Sequence, residues 1–190
     1  MDGTWRRFSE LRLKRRIVES AREAFGFAQP LAIASMTPLT APNQEYRSGD
    51  FLISTDRSRL DVDAIHAFLT SCYWAKGIPK DTLTRSIENS LCFGLYYNGQ
   101  QVGFARAITD YATYSYIGDV FVLEPYRGRG LAKWLMECIV SHPSMQGLRR
   151  WTLATRDAHA LYAQFGFTPL AAPDRWMERH DPNVYANSIS

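Results

Sequence analysis

The chain has 190 residues, of which 46% are hydrophobic and 13% aromatic, so it suits one folded domain with an extension rather than a disordered protein. Its net charge of +3 is small for a nucleic-acid-binding protein, and its three dispersed cysteines predict neither a disulfide framework nor a metal centre. No apolar run approaches the roughly 18 residues of a membrane span and the N-terminus lacks a signal-peptide core, which together with the cysteine usage predicts a cytoplasmic protein.

Residues 1–49 differ in composition from the rest and are predicted to form an N-terminal extension, with the folded domain at 50–190. Residues 5–27 predict a basic amphipathic helix, since six Lys and Arg residues accompany one Glu between positions 6 and 16. Such a helix either docks on a membrane surface, nucleic acid or protein partner, or is simply solvated, and both interpretations stay open here. Residues 29–49 hold three prolines among Thr, Asn and Ser, which is typical of a linker.

The domain alternates strand-like and helix-like patterns. Asp61 or Asp63 caps a first helix with a regular apolar face, and Asn98-Gly99 predicts a two-residue hairpin turn. The predicted strands are 51–54, 91–97, 100–109, 114–122, 150–154 and 175–180, and the predicted helices are 62–72, 80–90, 131–140 and 158–165. Hairpins come first and βαβ crossovers later, so the predicted fold class is α/β, with a mixed (α+β) sheet and helices on both faces.

A glycine-rich segment joins the strand 114–122 to the helix that follows it. It reads Tyr126, Arg127, Gly128, Arg129, Gly130, Leu131, Ala132 and Lys133. The first N–H groups of a helix lack intrahelical partners, glycines let the backbone close around an anion, and arginines match phosphate geometry. The segment is not a P-loop, because no Gly-Lys-Ser/Thr follows the glycines. Nor is it a dinucleotide fingerprint, which needs a further glycine and a distant acidic residue.

A second pattern lies at 154–167, about 24 residues past Gly130. With it, the chain resembles the GNAT family of N-acetyltransferases over residues 51–180. The family's motif A, Gln/Arg-x-x-Gly-x-Gly/Ala, is matched by Arg127, Gly130 and Ala132. Its later signature, Ala-x-x-Leu-Tyr-x-x-x-Gly-Phe, is matched by Ala158, Leu161, Tyr162, Gly166 and Phe167. The chain departs from the family at Thr155, where many members carry an asparagine that contacts the cofactor.

The resemblance implies the GNAT fold and acetyl-CoA as co-substrate, without a metal. In this family the strand before motif A splays away from the next strand, and pantetheine pairs with its exposed edge. Carried over, this implies that main-chain groups of one strand contact pantetheine and that the N–H groups of the glycine-rich segment bind the pyrophosphate. The implied cofactor-binding residues are Phe121, Val122, Arg127, Gly128, Arg129, Gly130, Leu131, Ala132, Lys133 and Thr155.

The resemblance also implies catalytic roles. Tyr162 is the implied acid that protonates the departing thiolate, and a phenol pKa near 10 suits this task, whereas without the motif it reads as a packing residue. The base is expected among Asp119, Tyr116 and Asp110. Asp119 interrupts an apolar run, so its carboxylate is either this base or a structural partner of an arginine. A water relay without a single base is a third alternative.

These expectations combine into one predicted function, the transfer of an acetyl group from acetyl-CoA to a primary amine of a small molecule by direct attack. The Tyr73-Trp74 pair lies between the first two helices, a region that lines the acceptor pocket in this family, although simple packing is an equal alternative. The rival functions are a protein lysine or N-terminal acetyltransferase and a non-catalytic acyl-CoA sensor. We expect no nucleic-acid or membrane-spanning partner, and a homodimer stays open.

Overall fold

A six-stranded sheet with its strands in chain order forms the framework of the computed structural model, which describes residues 42–186. Strands β1 to β5 are antiparallel neighbours, and β6 joins β5 in parallel, so the sheet is mixed as predicted. The helix predicted for 5–27 lies outside the described residues. The strands are β1 Glu45–Ser48, β2 Phe51–Ser54, β3 Leu91–Tyr97, β4 Gln100–Thr109, β5 Tyr114–Val122 and β6 Arg150–Leu153.

Helices cover both faces of this sheet, which confirms the predicted architecture. They are α1 Val62–Leu69, α2 Lys80–Glu88, α3 Leu131–Ser141 and α4 His159–Ala163. On one face, α3 buries Leu135 and Ile139 in the larger apolar cluster. On the other face, α1 and α2 bury Ile65 and Leu83 in a second cluster. Asp61 caps α1, since its carboxylate accepts a hydrogen bond from the Ala64 N–H at 2.9 Å.

Two strand predictions need correction. Strand β1 lies inside the segment predicted as a linker and pairs with β2, so the sheet begins ahead of residue 50. The strand predicted for 175–180 is wrong, because only the short 3-10 turn Pro173–Arg175 forms there. Residues 173–180 are all exposed, and the Trp176 ring contacts the Arg150 guanidinium at 5.2 Å instead of entering the core. Residues 173–180 therefore bury no side chain against the sheet.

An irregularity in β5 positions the site. Phe104 pairs with Phe121 and Arg106 pairs with Gly118, so two steps along β4 face three along β5, which is a β-bulge. The bulge places Asp119 at φ +54, a left-handed conformation that aspartate tolerates better than most residues. The parallel pairing of β5 with β6 ends just before it, at Ile117 and Leu153. From the bulge onward, β5 has no β6 partner in residues 42–186, and a gap opens between the two strands.

Candidate active site

A cleft of about 520 Å³ lies where β5 and β6 part. Among the residues that the sequence singled out, it brings together Asp119 from the bulge, Tyr162 from α4 and Thr155 from the loop between β6 and α4. Tyr73 and Trp74 line the same cleft from the loop between α1 and α2. Residues distant in sequence thus meet at the opening that the strand gap creates.

Both carboxylate oxygens of Asp119 already have partners. Oδ2 pairs with the Arg106 Nε, and Oδ1 accepts a hydrogen bond from the Trp74 Nε1 at 3.3 Å. The side chains of Asp119 and Arg106 are 8% and 17% exposed, so the pair is largely desolvated. Arg106 also donates from Nη1 to the Ser90 hydroxyl at 3.3 Å. Of the alternatives that the sequence left open for Asp119, these contacts favour the structural partner of an arginine.

Tyr162 is half-buried in the cleft wall, where its ring meets the Phe167 ring edge-on with centroids 6.1 Å apart. Burial raises its pKa above the ordinary value of 10.0, and the nearby Tyr73, Tyr116 and Asp157 add to the shift. The phenol therefore keeps its proton through neutral and mildly alkaline pH. A group in this state suits an acid and not a base.

The other base candidates differ in position. Tyr116 lines the cleft, and burial followed by the charge of Asp119 raises its pKa, although the Ala154 N–H acts in the opposite direction. A raised pKa makes a phenol a poorer base near neutrality. Asp110 lies in the turn between β4 and β5, where it accepts from three backbone N–H groups and the Thr113 hydroxyl. These bonds hold the pKa of Asp110 well below its usual range, so Asp110 stabilises the turn and is a poor base.

The glycine-rich segment forms an uncapped helix start. Gly128 and Gly130 have φ values of +75° and +76°, and α3 begins directly after them with no side-chain cap. The N–H groups of Leu131, Ala132 and Lys133 therefore have no acceptor within the helix. One expected donor is already used, because the Arg127 N–H donates to the Glu124 carbonyl at 3.1 Å. The unpaired N–H groups at this helix start therefore lie after Arg127.

The end of β5 next to this segment has one side open. The Phe121 carbonyl oxygen lies against Gly103 of β4, only 2.7 Å from where a Cβ there would stand. Because main-chain groups of successive strand residues point to opposite sides, Val122 faces the β6 side. Its carbonyl accepts from the Arg127 Nε at 2.9 Å. Of the two predicted pantetheine contacts, Val122 is the one whose main chain faces the gap, and its N–H points that way.

Thr155 has a local role as well. Its hydroxyl accepts a hydrogen bond from the Ala158 N–H at 3.1 Å, which fixes the entry into α4. The sequence missed three charged cleft residues, Arg106, Arg156 and Asp157. The available signal was an arginine within the apolar run of β4, because a buried arginine needs an acidic partner. That arginine is Arg106, and its partner is Asp119.

Comparison with known proteins decides the family. The family model described as the acetyltransferase (GNAT) family matches residues 62–167, which include both motifs and the cleft. The chain belongs to the GNAT family. It is accordingly an acetyl-CoA-dependent acyltransferase, which the motifs between β5 and α4 predicted.

Relatives of this acetyltransferase agree with the assignment. A Gibberella zeae protein, provisionally named an acetyltransferase, is 36% identical over 152 residues, covering 68% of this chain and 84% of that protein. A crystal structure from Xanthomonas campestris, provisionally placed in the GNAT family, is 52% identical, with a TM-score of 0.70, over 72% of this chain and 96% of that one. A Clostridium acetobutylicum acetyltransferase crystallised with acetyl-CoA shares the fold at 16% identity and a TM-score of 0.51, over 73% of this chain and 95% of that one.

The described residues were also searched for metal-binding groups and for membrane-spanning helices. Residues 42–186 contain no group of three or more His, Cys, Asp or Glu side chains arranged to hold a metal ion. None of the helices described is long and apolar enough to cross a membrane.

Proposed function

We propose that this acetyltransferase moves the acetyl group of acetyl-CoA onto a primary amine of a small molecule by direct attack. The observation that carries the proposal is the arrangement around the strand gap. The open edge of β5 leads to an uncapped helix start on one side and to a cleft containing Tyr162 on the other. An extended acyl carrier whose pantetheine arm leads to a diphosphate fits this combination.

The residues present fit acetyl-CoA. The Val122 N–H points into the gap, where it can donate to a pantetheine amide. The uncapped N–H groups of Leu131 to Lys133 supply converging donors for a diphosphate, and the helix dipole adds positive potential. Arg129 and Lys133 are exposed beside these donors and add charge. Backbone donors suit this task because they lose no side-chain entropy on binding.

The chemistry assigns one proton step to Tyr162. The amine attacks the thioester carbonyl, a tetrahedral oxyanion forms, and the C–S bond breaks to release a thiolate. Tyr162 donates its phenolic proton to that sulfur and regains one from water, and the raised pKa keeps the proton available across the neutral range. We assign the proton of the attacking amine to water in the cleft, because both Asp119 oxygens are occupied. Asp119 then acts by holding Trp74 and Arg106 in place.

The mouth of the cleft favours a small acceptor over a protein. The Arg156 N–H donates to the Tyr73 hydroxyl at 3.3 Å, which links the two loops that flank the opening. A polypeptide would need an open groove at this point, whereas a free amine needs only a narrow entrance. Protein lysine or N-terminal acetylation remains the rival within the family, and acyl-CoA sensing without turnover is the rival outside catalysis.

The test is an assay of acetyl-CoA thioester consumption over a panel of free amines and peptides. We expect turnover with free amines; turnover with peptides alone supports a protein acetyltransferase, and tight acetyl-CoA binding without turnover supports a sensor. The cofactor site is tested separately by calorimetry of Gly130→Val. A Cβ at Gly130 meets no described protein atom within 4 Å, so a clash there is with the diphosphate and not with the fold.

The matched control for Gly130→Val is Gly99→Val in the β3–β4 turn. Gly99 has φ +83 and equally open surroundings, so it suffers the same backbone strain as Gly130 at φ +76. We expect both variants to lose similar stability and only Gly130→Val to lose acetyl-CoA affinity, by about tenfold or more. Equal acetyl-CoA affinity in the two variants would show that the pyrophosphate does not bind at this helix start.

A further inference from the structure

We infer that the acceptor amine carries an anionic group, a carboxylate or a phosphate, and that Arg156 binds this group at the mouth of the cleft. The inference rests on the proposed acetyl transfer and names its substrate class. Arg156 lies in the loop between β6 and α4 and lines the cleft together with Tyr162. An acceptor held there keeps its anion at the mouth while its amine points into the strand gap.

Two contacts with Tyr73 hold Arg156 in place. The guanidinium carbon lies 4.0 Å from the centroid of the Tyr73 ring, which is a close cation–π contact. The backbone N–H of Arg156 donates to the Tyr73 hydroxyl. Stacking leaves the edge of the planar guanidinium, which carries its N–H donors, free to meet an oxyanion with two parallel hydrogen bonds. Such a preorganised group loses little entropy when the acceptor binds.

The donors of Arg156 are open. Its charge partner is Asp157, whose carboxylate oxygen lies 3.6 Å away, beyond hydrogen-bond range. Both side chains are about two-thirds exposed, at 67% and 69%, so this pair is weak. Within residues 42–186, the guanidinium makes no hydrogen bond. Arg106, in contrast, uses its donors on Asp119 and Ser90.

The same cleft offers little to a second cationic group. The interior carboxylate, Asp119, is neutralised by Arg106 and hydrogen-bonded by Trp74. Asp157 is the remaining carboxylate among the described residues that line the cleft, and no ring or hydrogen bond fixes its side chain. A polyamine therefore meets one exposed carboxylate that is already paired with Arg156, whereas an anionic acceptor meets a guanidinium that is stacked on Tyr73. Electrostatics at the mouth favours the anionic acceptor.

Matched amines test this inference because they differ only in the anionic group. Serine and O-phosphoethanolamine are ethanolamine with an added carboxylate or phosphate, and tyrosine is tyramine with a carboxylate. We expect kcat/KM to be about 10- to 100-fold higher for the anionic member of a set, as for a hydrogen-bonded charged pair. A higher kcat/KM for serine than for O-phosphoethanolamine identifies a carboxylate acceptor, and a lower one identifies a phosphate acceptor.

Variants of Arg156 test whether its side chain binds the anionic group. Arg156→Gln should lower kcat/KM for the anionic amine by a similar factor, mainly through KM, and leave the neutral amine unchanged. Arg156→Lys should restore part of the loss, because it keeps the charge without the planar fork. Arg85→Gln, on the exposed surface of α2 and away from the cleft, is the matched control and should change neither rate.

Three results would overturn the inference. One is an equal or higher rate with ethanolamine, tyramine or spermidine, and another is an equal loss on neutral and anionic amines in Arg156→Gln. Either of these leaves acetyl transfer itself intact. The third, acetyl-CoA binding with no acetylation of any amine, overturns the proposed function and this inference together.

Discussion

Replacing Asp119 by asparagine separates a structural role from a catalytic one. Asparagine has nearly the same shape and tolerates the φ of +54 at this position, so the bulge in β5 should persist. The substitution removes the negative charge beside Arg106 and keeps one oxygen acceptor for two donors, Arg106 Nε and Trp74 Nε1. The arginine is then left largely buried without a counter-charge.

The expected loss of stability is large for a single substitution. Removing one partner of a buried ion pair costs about 3–5 kcal/mol. The exposed fractions of 17% for Arg106 and 8% for Asp119 let some water reach the pair, which places the loss at the lower end. We therefore expect the free energy of unfolding to fall by about 3 kcal/mol. For a domain of this size the melting temperature should drop by roughly 6–12 °C.

Urea unfolding at neutral pH measures this loss, with Asp157→Asn as the matched control. Asp157 also pairs with an arginine, but its side chain is 69% exposed, so the control should lose less than about 1 kcal/mol. Unfolding of Asp119→Asn at the wild-type urea concentration would mean that the buried pair does not stabilise the fold. If in addition its turnover falls by about 10² or more, Asp119 is the general base after all.

Two further substitutions test other parts of the structure. Tyr162→Phe should lower kcat by a factor of roughly 10² to 10⁴ without changing acetyl-CoA affinity. Wild-type kcat should fall only as pH rises through the Tyr162 pKa, above 10.0, and a wild-type rate in the variant would make Tyr162 a packing residue. Gly103→Ala should lose about 1–3 kcal/mol of stability, because its Cβ meets the Phe121 carbonyl oxygen at 2.7 Å. Gly118→Ala, whose nearest contact is an ordinary 3.4 Å, is the control for thermal melting, and equal melting temperatures would contradict the close approach.

Local chemistry was enough to predict most elements. Asn98 and Gly99 adopt φ values of +47° and +83°, the positive values that a tight hairpin requires, and strands β3 and β4 have their predicted bounds. Asp61 caps α1 because a carboxylate at this position satisfies an otherwise unpaired N–H. The glycine-rich segment likewise forms the predicted helix start. In each case neighbouring residues alone determine the conformation.

The features that the sequence did not reveal depend on contacts between distant residues. Asp119 pairs with Arg106 across two strands, and the bulge that aims it into the cleft leaves no local pattern. Strand β1 has only four residues, three of them exposed, so its pairing with β2 gave no apolar alternation to detect. Arg156 acquires its position from Tyr73, which is 83 residues away in the chain. Sequence patterns identified the two family motifs, whereas the contacts that assemble the cleft wall required the folded chain.

The most direct test of acetyl transfer is mass spectrometry of the small-molecule product. The protein is mixed with acetyl-CoA carrying an isotopically labelled acetyl group, with and without serine, tyrosine, ethanolamine or tyramine. We expect labelled N-acetylated amine at a rate that falls in Tyr162→Phe, and unmodified protein when no amine is present. Acetyl-CoA that is bound but recovered intact with every amine, or label found on the protein alone, would contradict direct transfer to a small-molecule amine.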